Sequence, residues 1–316
     1  MKKLAFVIPY YKIMFFEKTL ESLYKQTNKN FIVYISDDNS PNNPKKIIDK
    51  YQNKINIVYK KFSQNLGKKN LVHHWNRSLS LLQDEEWVCV LPDDDIISEN
   101  FVEEFYSNLS LIKKTNIKVI RSSLYFLEGK NHIIKKIDKN IKIIENIYNF
   151  YLKLLKGETG SSLGENIFDV KKLREIGGFI DFPKGWGSDH ATILKVAEKG
   201  KILTLKNSKF YFRMSGINIS SQKDDGKLKL EARLLFAEWL KKNQGIFNKN
   251  LNSEFCRYFI FKAEYYILNE WKFNFKLLIN LYKLHKVCGN KNFKSLLNTI
   301  KFSVRNFRNL KNNYLI

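Results

Sequence analysis

The tightest constraint in this chain is the stretch Glu86-Trp87-Val88-Cys89-Val90-Leu91-Pro92-Asp93-Asp94-Asp95. Trp87 to Leu91 is a short, unbroken apolar run, the pattern of a strand buried on both faces. It stops at Pro92 and meets three adjacent carboxylates. Like charges in a row repel one another, and a folded chain keeps them together when a cation or a hydrogen-bond network offsets the repulsion. Hard divalent cations take oxygen ligands, and Mg²⁺ typically combines one or two protein carboxylates with substrate phosphates. One reading is therefore a strand end that presents a metal and, through it, a phosphorylated substrate. The other is a solvated acidic turn ahead of a helix, since Ser98 and Glu99 also look like a helix start.

The order of the other elements decides between them. Lys3 to Pro9 reads as a buried first strand, and Phe15 to Gln26 has helical spacing, with Phe16, Leu20, Leu23 and Tyr24 near one face. Asn30 to Ser36 is a second strand, and it too ends in carboxylates, Asp37-Asp38, followed by Asn39-Ser40. A helix over Pro41–Asn53, a strand over Ile55–Tyr59 and a helix from about Lys68 to Leu82 lead to the Trp87–Leu91 strand. Ser98 to Lys113 is a further helix and Ile117 to Arg121 another short strand. Strands alternating with helices indicate a parallel sheet in a doubly wound α/β domain. Ligands of such sheets bind outside the carboxyl ends of the strands, so two acidic strand ends face one crevice.

Further along, Lys130 to Lys156 reads as a β-ribbon and a helix. Gly157 to Gly164 (GETGSSLG) is a glycine- and serine-rich loop that could line the crevice, but no GK[ST] makes it a P-loop. Ile167–Ile176 leads to a helix stop at Gly177-Gly178-Phe179. Pro183–Asp189 (PKGWGSD) then opens a helix over His190–Lys199, and Gly200–Lys206 is a strand candidate. Ser215–Gly226 reads as a loop able to cover the crevice. Adjacent His73 and His74 point in different directions on their helix and so cannot form an i, i+4 metal pair.

The 55 Lys and Arg against 31 Asp and Glu leave a net charge of +24 at pH 7. That implies a polyanionic partner, an anionic membrane surface, or both. From Trp271 to Ile316 there are ten Lys or Arg and no Asp or Glu. Basic amphipathic helices with aromatics on the other face can lie in a membrane interface. Alternatively the aromatic stripe from Phe255 to Tyr282 is core and the lysines are solvated. The chain is expected to divide at residue 226, with a basic, aromatic-rich helical region over 227–316. No stretch is apolar and long enough to span a bilayer. Three widely spaced cysteines without a CxxC, and no signal peptide, suit a reduced, cytoplasmic setting.

Several motifs fall in a familiar order: Ile8-Pro9-Tyr10-Tyr11, Gln26-Thr27 before Phe31-Ile32-Val33, Asp37-Asp38-Asn39-Ser40, Asn65-Leu66-Gly67, Asp93-Asp94-Asp95, and Gly177-Gly178-Phe179 followed by Ser188-Asp189. With them the chain resembles the family 2 glycosyltransferases, inverting enzymes that use nucleotide-sugar donors. The resemblance covers residues 3 to about 215 and implies a GT-A fold, a Rossmann-like, mixed but mostly parallel sheet flanked by helices, followed by a C-terminal helical extension. It implies that Pro9 and Tyr11 bracket the base, and that Asp38 accepts from uracil N3, favouring a UDP-linked donor. Lys68 and Asn76, on the helix after Gly67, become candidate nucleoside contacts. Asp94 falls near the ribose, Asp95 on Mn²⁺ or Mg²⁺, and Asp189 at the catalytic base. The first motif reads PYYK where the family commonly has PTYN, and Pro92 stands where many members carry an acidic residue.

An acceptor hydroxyl must lose its proton as it attacks the anomeric carbon, and a carboxylate within hydrogen-bond reach can take it. Trp186 can stack on a sugar face. His190 is a candidate acceptor contact or a helix-terminus packing residue, and Arg213 could reach a diphosphate as a fixed cation. The expected function is transfer of a sugar to a glycan or lipid-linked acceptor in surface polysaccharide or lipooligosaccharide synthesis, peripheral on the inner face of the cell membrane. A basic nucleic-acid-binding protein and a sugar nucleotidyltransferase are the alternatives. The first fits poorly because the charge concentrates in the tail while the crevice gathers carboxylates, so no nucleic-acid partner is expected. The second needs a glycine-rich basic loop after the first strand, which PYYKIMFF is not.

Overall fold

The computed structural model describes residues 3–128, 132–136, 138, 142–216 and 226–247, with single residues and short pieces between 256 and 301. The amino-terminal half alternates as expected: β1 (Leu4–Tyr10), α1 (Phe16–Tyr24), β2 (Phe31–Asp37), α2 (Lys45–Tyr51), β3 (Ile57–Lys61), α3 (Leu71–Leu79) and β4 (Trp87–Val90). Next come β5 (Ile96–Ile97), α4 (Phe101–Ser107), α5 (Leu109–Thr115), β6 (Val119–Glu128), β7 (His132–Lys136), β8 (Ile144–Asn146) and α6 (Ile147–Lys156). They are followed by β9 (Asn166–Asp169), α7 (Val170–Glu175), α8 (Ser188–Val196), β10 (Lys201–Met214) and α9 (Gly226–Lys242).

One sheet runs β3-β2-β1-β4-β9-β6-β10-β5, with β7 beside β6 and β8 beside β10. β1 pairs in parallel with β2 and β4, β2 with β3, and β6 with β10. β9 is inserted antiparallel between β4 and β6, which therefore share a direction. Six strands thus end on one edge, and the sheet is mixed but mostly parallel. Continuous apolar runs make this possible: every residue of β2 and β4 is buried, and so is all of β1 but half-buried Pro9. Phe6 of β1 meets Phe31 of β2 and Phe101 of α4 at ring distances of 5.4 and 5.9 Å, locking helix to sheet. Cys89 is fully buried in β4, where burial pushes its thiol pKa up.

Three expected elements differ. The single helix over Ser98–Lys113 is broken into α4 and α5 at Asn108, whose side-chain amide donates to the Glu104 carbonyl at 2.8 Å and so competes with the helix ladder. The short strand expected to end at Arg121 continues to Glu128. The strand expected to end at Lys206 continues to Met214, because the register with β6 slips between Leu205 and Lys209 and the polar Lys206-Asn207-Ser208 is absorbed as a bulge.

The chain forms two compact units: Met1–Asp181 with Ser188–Ser221, and Phe182–Gly187 with Gln222–Ile316. In the second, Phe236 of α9 meets Phe182 at 5.6 Å and Trp239 at 5.8 Å. Lys229 lies 4.8 Å from the Trp186 ring. Among the described residues no helix is long and apolar enough to cross a membrane. Nearly all of the loop expected over Ser215–Gly226, and nearly all of the aromatic stripe expected over Phe255–Tyr282, lies outside the described residues.

Candidate active site

The parallel strands bring the two acidic turns together. β2 and β4 flank β1, and the Asp38 amide donates to the Tyr10 carbonyl at 3.0 Å. From the other side, one oxygen of Asp93 accepts from the Tyr11 and Lys12 amides at 2.7 and 2.6 Å. The end of β1 is thus clasped between both turns, with Ser40 Oγ donating to the Tyr11 carbonyl at 2.7 Å. Pro9 is half-buried at this end and Tyr11 is exposed beside it.

In the β2 turn every carboxylate has protein donors. Asp37 accepts from the Ser40 amide at 2.7 Å and from the Tyr59 hydroxyl at 2.6 Å. Asp38 is buried, and accepts from the Leu66 and Gly67 amides at 2.8 Å each and from the Arg77 guanidinium. Gly67 is required by this approach, since a Cβ there would sit 2.7 Å from Asp38 Oδ2. His74 lies 3.4 Å from the same carboxylate, but burial pushes its pKa down to about 4, so the neutral ring is no counter-ion. That role falls on Arg77, itself stacked 4.0 Å from the Phe62 ring. Sequence reasoning missed Arg77; its signal was a cation one helical turn after His74.

The β4 turn is different. Burial, and then the charge of Asp94, push the Asp93 pKa up to about 7. Burial also raises Asp94, and it raises Asp95 well above the ordinary carboxylate range, with Asp94 contributing. Asp95 accepts from the Arg213 amide at 2.7 Å, and Arg213 Nε donates to the Asp94 carbonyl at 2.8 Å. Arg213, expected to reach a diphosphate, is 1% exposed and lies 4.5 Å from the Phe15 ring. It holds the acidic turn against the end of β10. No three metal-ligating side chains converge among the described residues. Asp94 and Asp95 offer two buried, adjacent carboxylates, which fits a hard divalent ion that completes its shell with phosphate oxygens.

Behind this turn is a buried ionic network. Arg121 of β6 donates through Nε to Glu165 at 3.0 Å, and through Nη2 to the two Asp138 oxygens at 3.0 and 3.2 Å and to the Gly160 carbonyl at 3.1 Å. It thereby ties the glycine- and serine-rich loop to the sheet. Gly164 in that loop must be glycine, since a Cβ would meet Phe210 at 2.5 Å and Pro92 at 2.7 Å. Glu165 is fully buried, and its pKa is pushed up to about 8 by burial first, with Asp138 and Asp189 adding. Asp189, in the first turn of α8, is thus within electrostatic reach of Glu165. Its side chain is 18% exposed, and Oδ1 accepts from the following His190 amide at 2.9 Å. His190 meets the Tyr151 ring at 6.2 Å.

Lys68 is exposed on the segment before α3. Asn76 donates to the Phe179 carbonyl at 3.0 Å and accepts from the Phe179 amide at 2.7 Å, so both ends of its amide serve the backbone after Gly178. Trp186 belongs to the second compact unit.

Residues 6–158 match the model of glycosyl transferase family 2. An uncharacterized glycosyltransferase of Mycoplasma genitalium is 35% identical over 107 residues, 33% of this chain and 36% of that protein, so the match spans about a third of the relative's length. Among solved structures, TarS 1-349 of S. aureus aligns with a TM-score of 0.69 at 18% identity, over 99% of this chain and 91% of that one. The same protein in complex with UDP-GlcNAc aligns at 0.60, with 17% identity over the same shares. The mannosyltransferase PcManGT of Pyrobaculum calidifontis, in complex with GDP-Man and Mn²⁺, aligns at 0.53 with 13% identity over 96% of this chain and 80% of that one. The fold is therefore that of the GT-A glycosyltransferases, and residues 6–158, just under half of the chain, match the model of glycosyl transferase family 2.

Proposed function

We propose that this chain is an inverting, divalent-metal-dependent glycosyltransferase that moves a sugar from a UDP-linked donor to a hydroxyl of a glycan or lipid-linked acceptor. The observation that carries the reading is the clasp at the end of β1, where two buried acidic turns meet, one with its carboxylates paired to Arg77 and backbone amides. The acceptor oxygen attacks the anomeric carbon as its proton passes to the Asp189 carboxylate. The bond from that carbon to the diphosphate breaks, the nucleoside diphosphate leaves, and configuration inverts. A divalent ion on Asp94 and Asp95 would supply Lewis-acid stabilisation of the leaving phosphates.

The choice of uracil rests on lone pairs. A carboxylate offers about four acceptor positions. Asp38 has given two on Oδ1, to Leu66 and Arg77, and one on Oδ2, to Gly67. One remains, matching the single ring N–H of uracil better than the adjacent N–H donors of guanine. Pro9 and Tyr11 border this point, and exposed Lys68 stands on the segment that follows Gly67. His190 and Trp186, flanking the base on either side in sequence, are the acceptor candidates. A surface-glycan pathway at the anionic inner face of the membrane is supported by the ten cations between Trp271 and Ile316.

Asp189→Asn tests the base. Transfer should fall on the order of 10²–10⁴-fold, measured as UDP release, while calorimetric UDP affinity stays within about twofold. A folded variant that loses UDP binding would assign Asp189 to the donor site instead.

A further inference from the structure

We propose that Lys12 is a diphosphate-binding residue, a cation anchored through its backbone in the turn after β1 that would share the donor's phosphate charge with a divalent ion. This rests on the nucleotide-sugar reading above. The backbone at Lys12 is held at the acidic turn: its amide and that of Tyr11 both donate to Asp93, and Ser40 Oγ holds the Tyr11 carbonyl. Its side chain therefore starts beside the carboxylates and not from a distant loop.

Two cationic residues are hydrogen-bonded to the acidic turn, and they differ in what they can do. Arg213 is 1% exposed, bonded through Nε to the Asp94 carbonyl and packed over Phe15, so it is committed to the protein. Lys12 is only partly buried. It carries a compact charge with three donors on a flexible four-carbon stem, the form suited to following a phosphate. Before the donor arrives, its ammonium offsets part of the negative charge of the turn. With a divalent ion held by Asp94 and Asp95, the turn would no longer need the ammonium, and Lys12 would be left to bond the diphosphate.

The test is calorimetric titration of the full chain with UDP and with uridine, in Mn²⁺ and in EDTA, for wild type, Lys12→Met and Lys12→Arg. Losing one charge-assisted contact corresponds to about 10- to 100-fold in affinity. Lys12→Met should lose UDP affinity by that amount in EDTA and by less with Mn²⁺ present. Uridine, which has no phosphate, should bind both proteins alike, and Lys12→Arg should keep most of the UDP affinity. Unchanged UDP binding by Lys12→Met, or parallel loss of UDP and uridine, overturns the assignment of Lys12. Should Lys12→Met fail to fold, Lys12→Arg decides by its UDP-to-uridine affinity ratio, which must stay near the wild-type value. Failure of wild type to bind UDP even with Mn²⁺ would instead remove the nucleotide-sugar reading, and this proposal with it.

Discussion

The two acidic turns of this protein look alike in sequence and are opposites in energetics. Asp37-Asp38 ends β2 with its carboxylates bonded to backbone amides, a tyrosine hydroxyl and Arg77. Asp93-Asp94-Asp95 follows β4 equally buried, and there burial drives the pKa values up, with repulsion from Asp94 adding at Asp93 and Asp95. A carboxylate satisfied by its own chain is built to stay put and to offer a remaining lone pair. A cluster of buried, mutually repelling carboxylates is built to take up a cation. On the proposed reading, the two strand ends that flank β1 divide base recognition from charge neutralisation.

That contrast breaks first under substitution. Asp95→Asn should cut transfer by on the order of 10²–10³-fold, the scale of losing one preorganised electrostatic contact, and should abolish Mn²⁺-dependent tightening of UDP binding. In metal-free buffer the same variant should melt higher than wild type, since one repelling charge is gone. Asp38→Asn should do the reverse to stability, lowering it by about 2–3 kcal/mol in denaturant titrations as charge-assisted bonds are lost. If both variants moved stability in the same direction, the two turns would not differ as described.

A smaller effect should appear in pH. The folded-state pKa of Asp93 is raised from an ordinary 3.8 to about 7. A raised folded value means stability fully present below about 4 and lost as pH climbs through about 7. In EDTA the melting temperature should therefore fall by a few degrees across that window, and added Mn²⁺ should flatten the slope. A slope unaffected by the metal would place its cause elsewhere.

Much of this was legible in the chain. β1, β2 and β4 were readable because strands buried on both faces must be continuously apolar, and their acidic ends because three carboxylates in a row call for an explanation. Arg121, Asp138 and Glu165 were not. They meet only because β9 inserts antiparallel between β4 and β6, a topology that local pattern does not encode. Arg121 was visible only as the charge that seemed to end a strand. β10 was cut short for a similar reason, since its bulge at Lys206–Ser208 has the composition of a turn. The commitment of Arg213 to Asp94 likewise depends on the far end of β10, more than a hundred residues away along the chain.

The most direct test of a diphosphate held between these turns is a donor screen with the unmodified chain. Nucleoside diphosphate release would be measured from UDP- and GDP-linked sugars, with Mn²⁺ and with EDTA. Release from UDP-sugars that EDTA suppresses is the expected result. Equal release in EDTA, or preference for GDP-sugars, would contradict the division of labour between Asp38 and the Asp94–Asp95 pair.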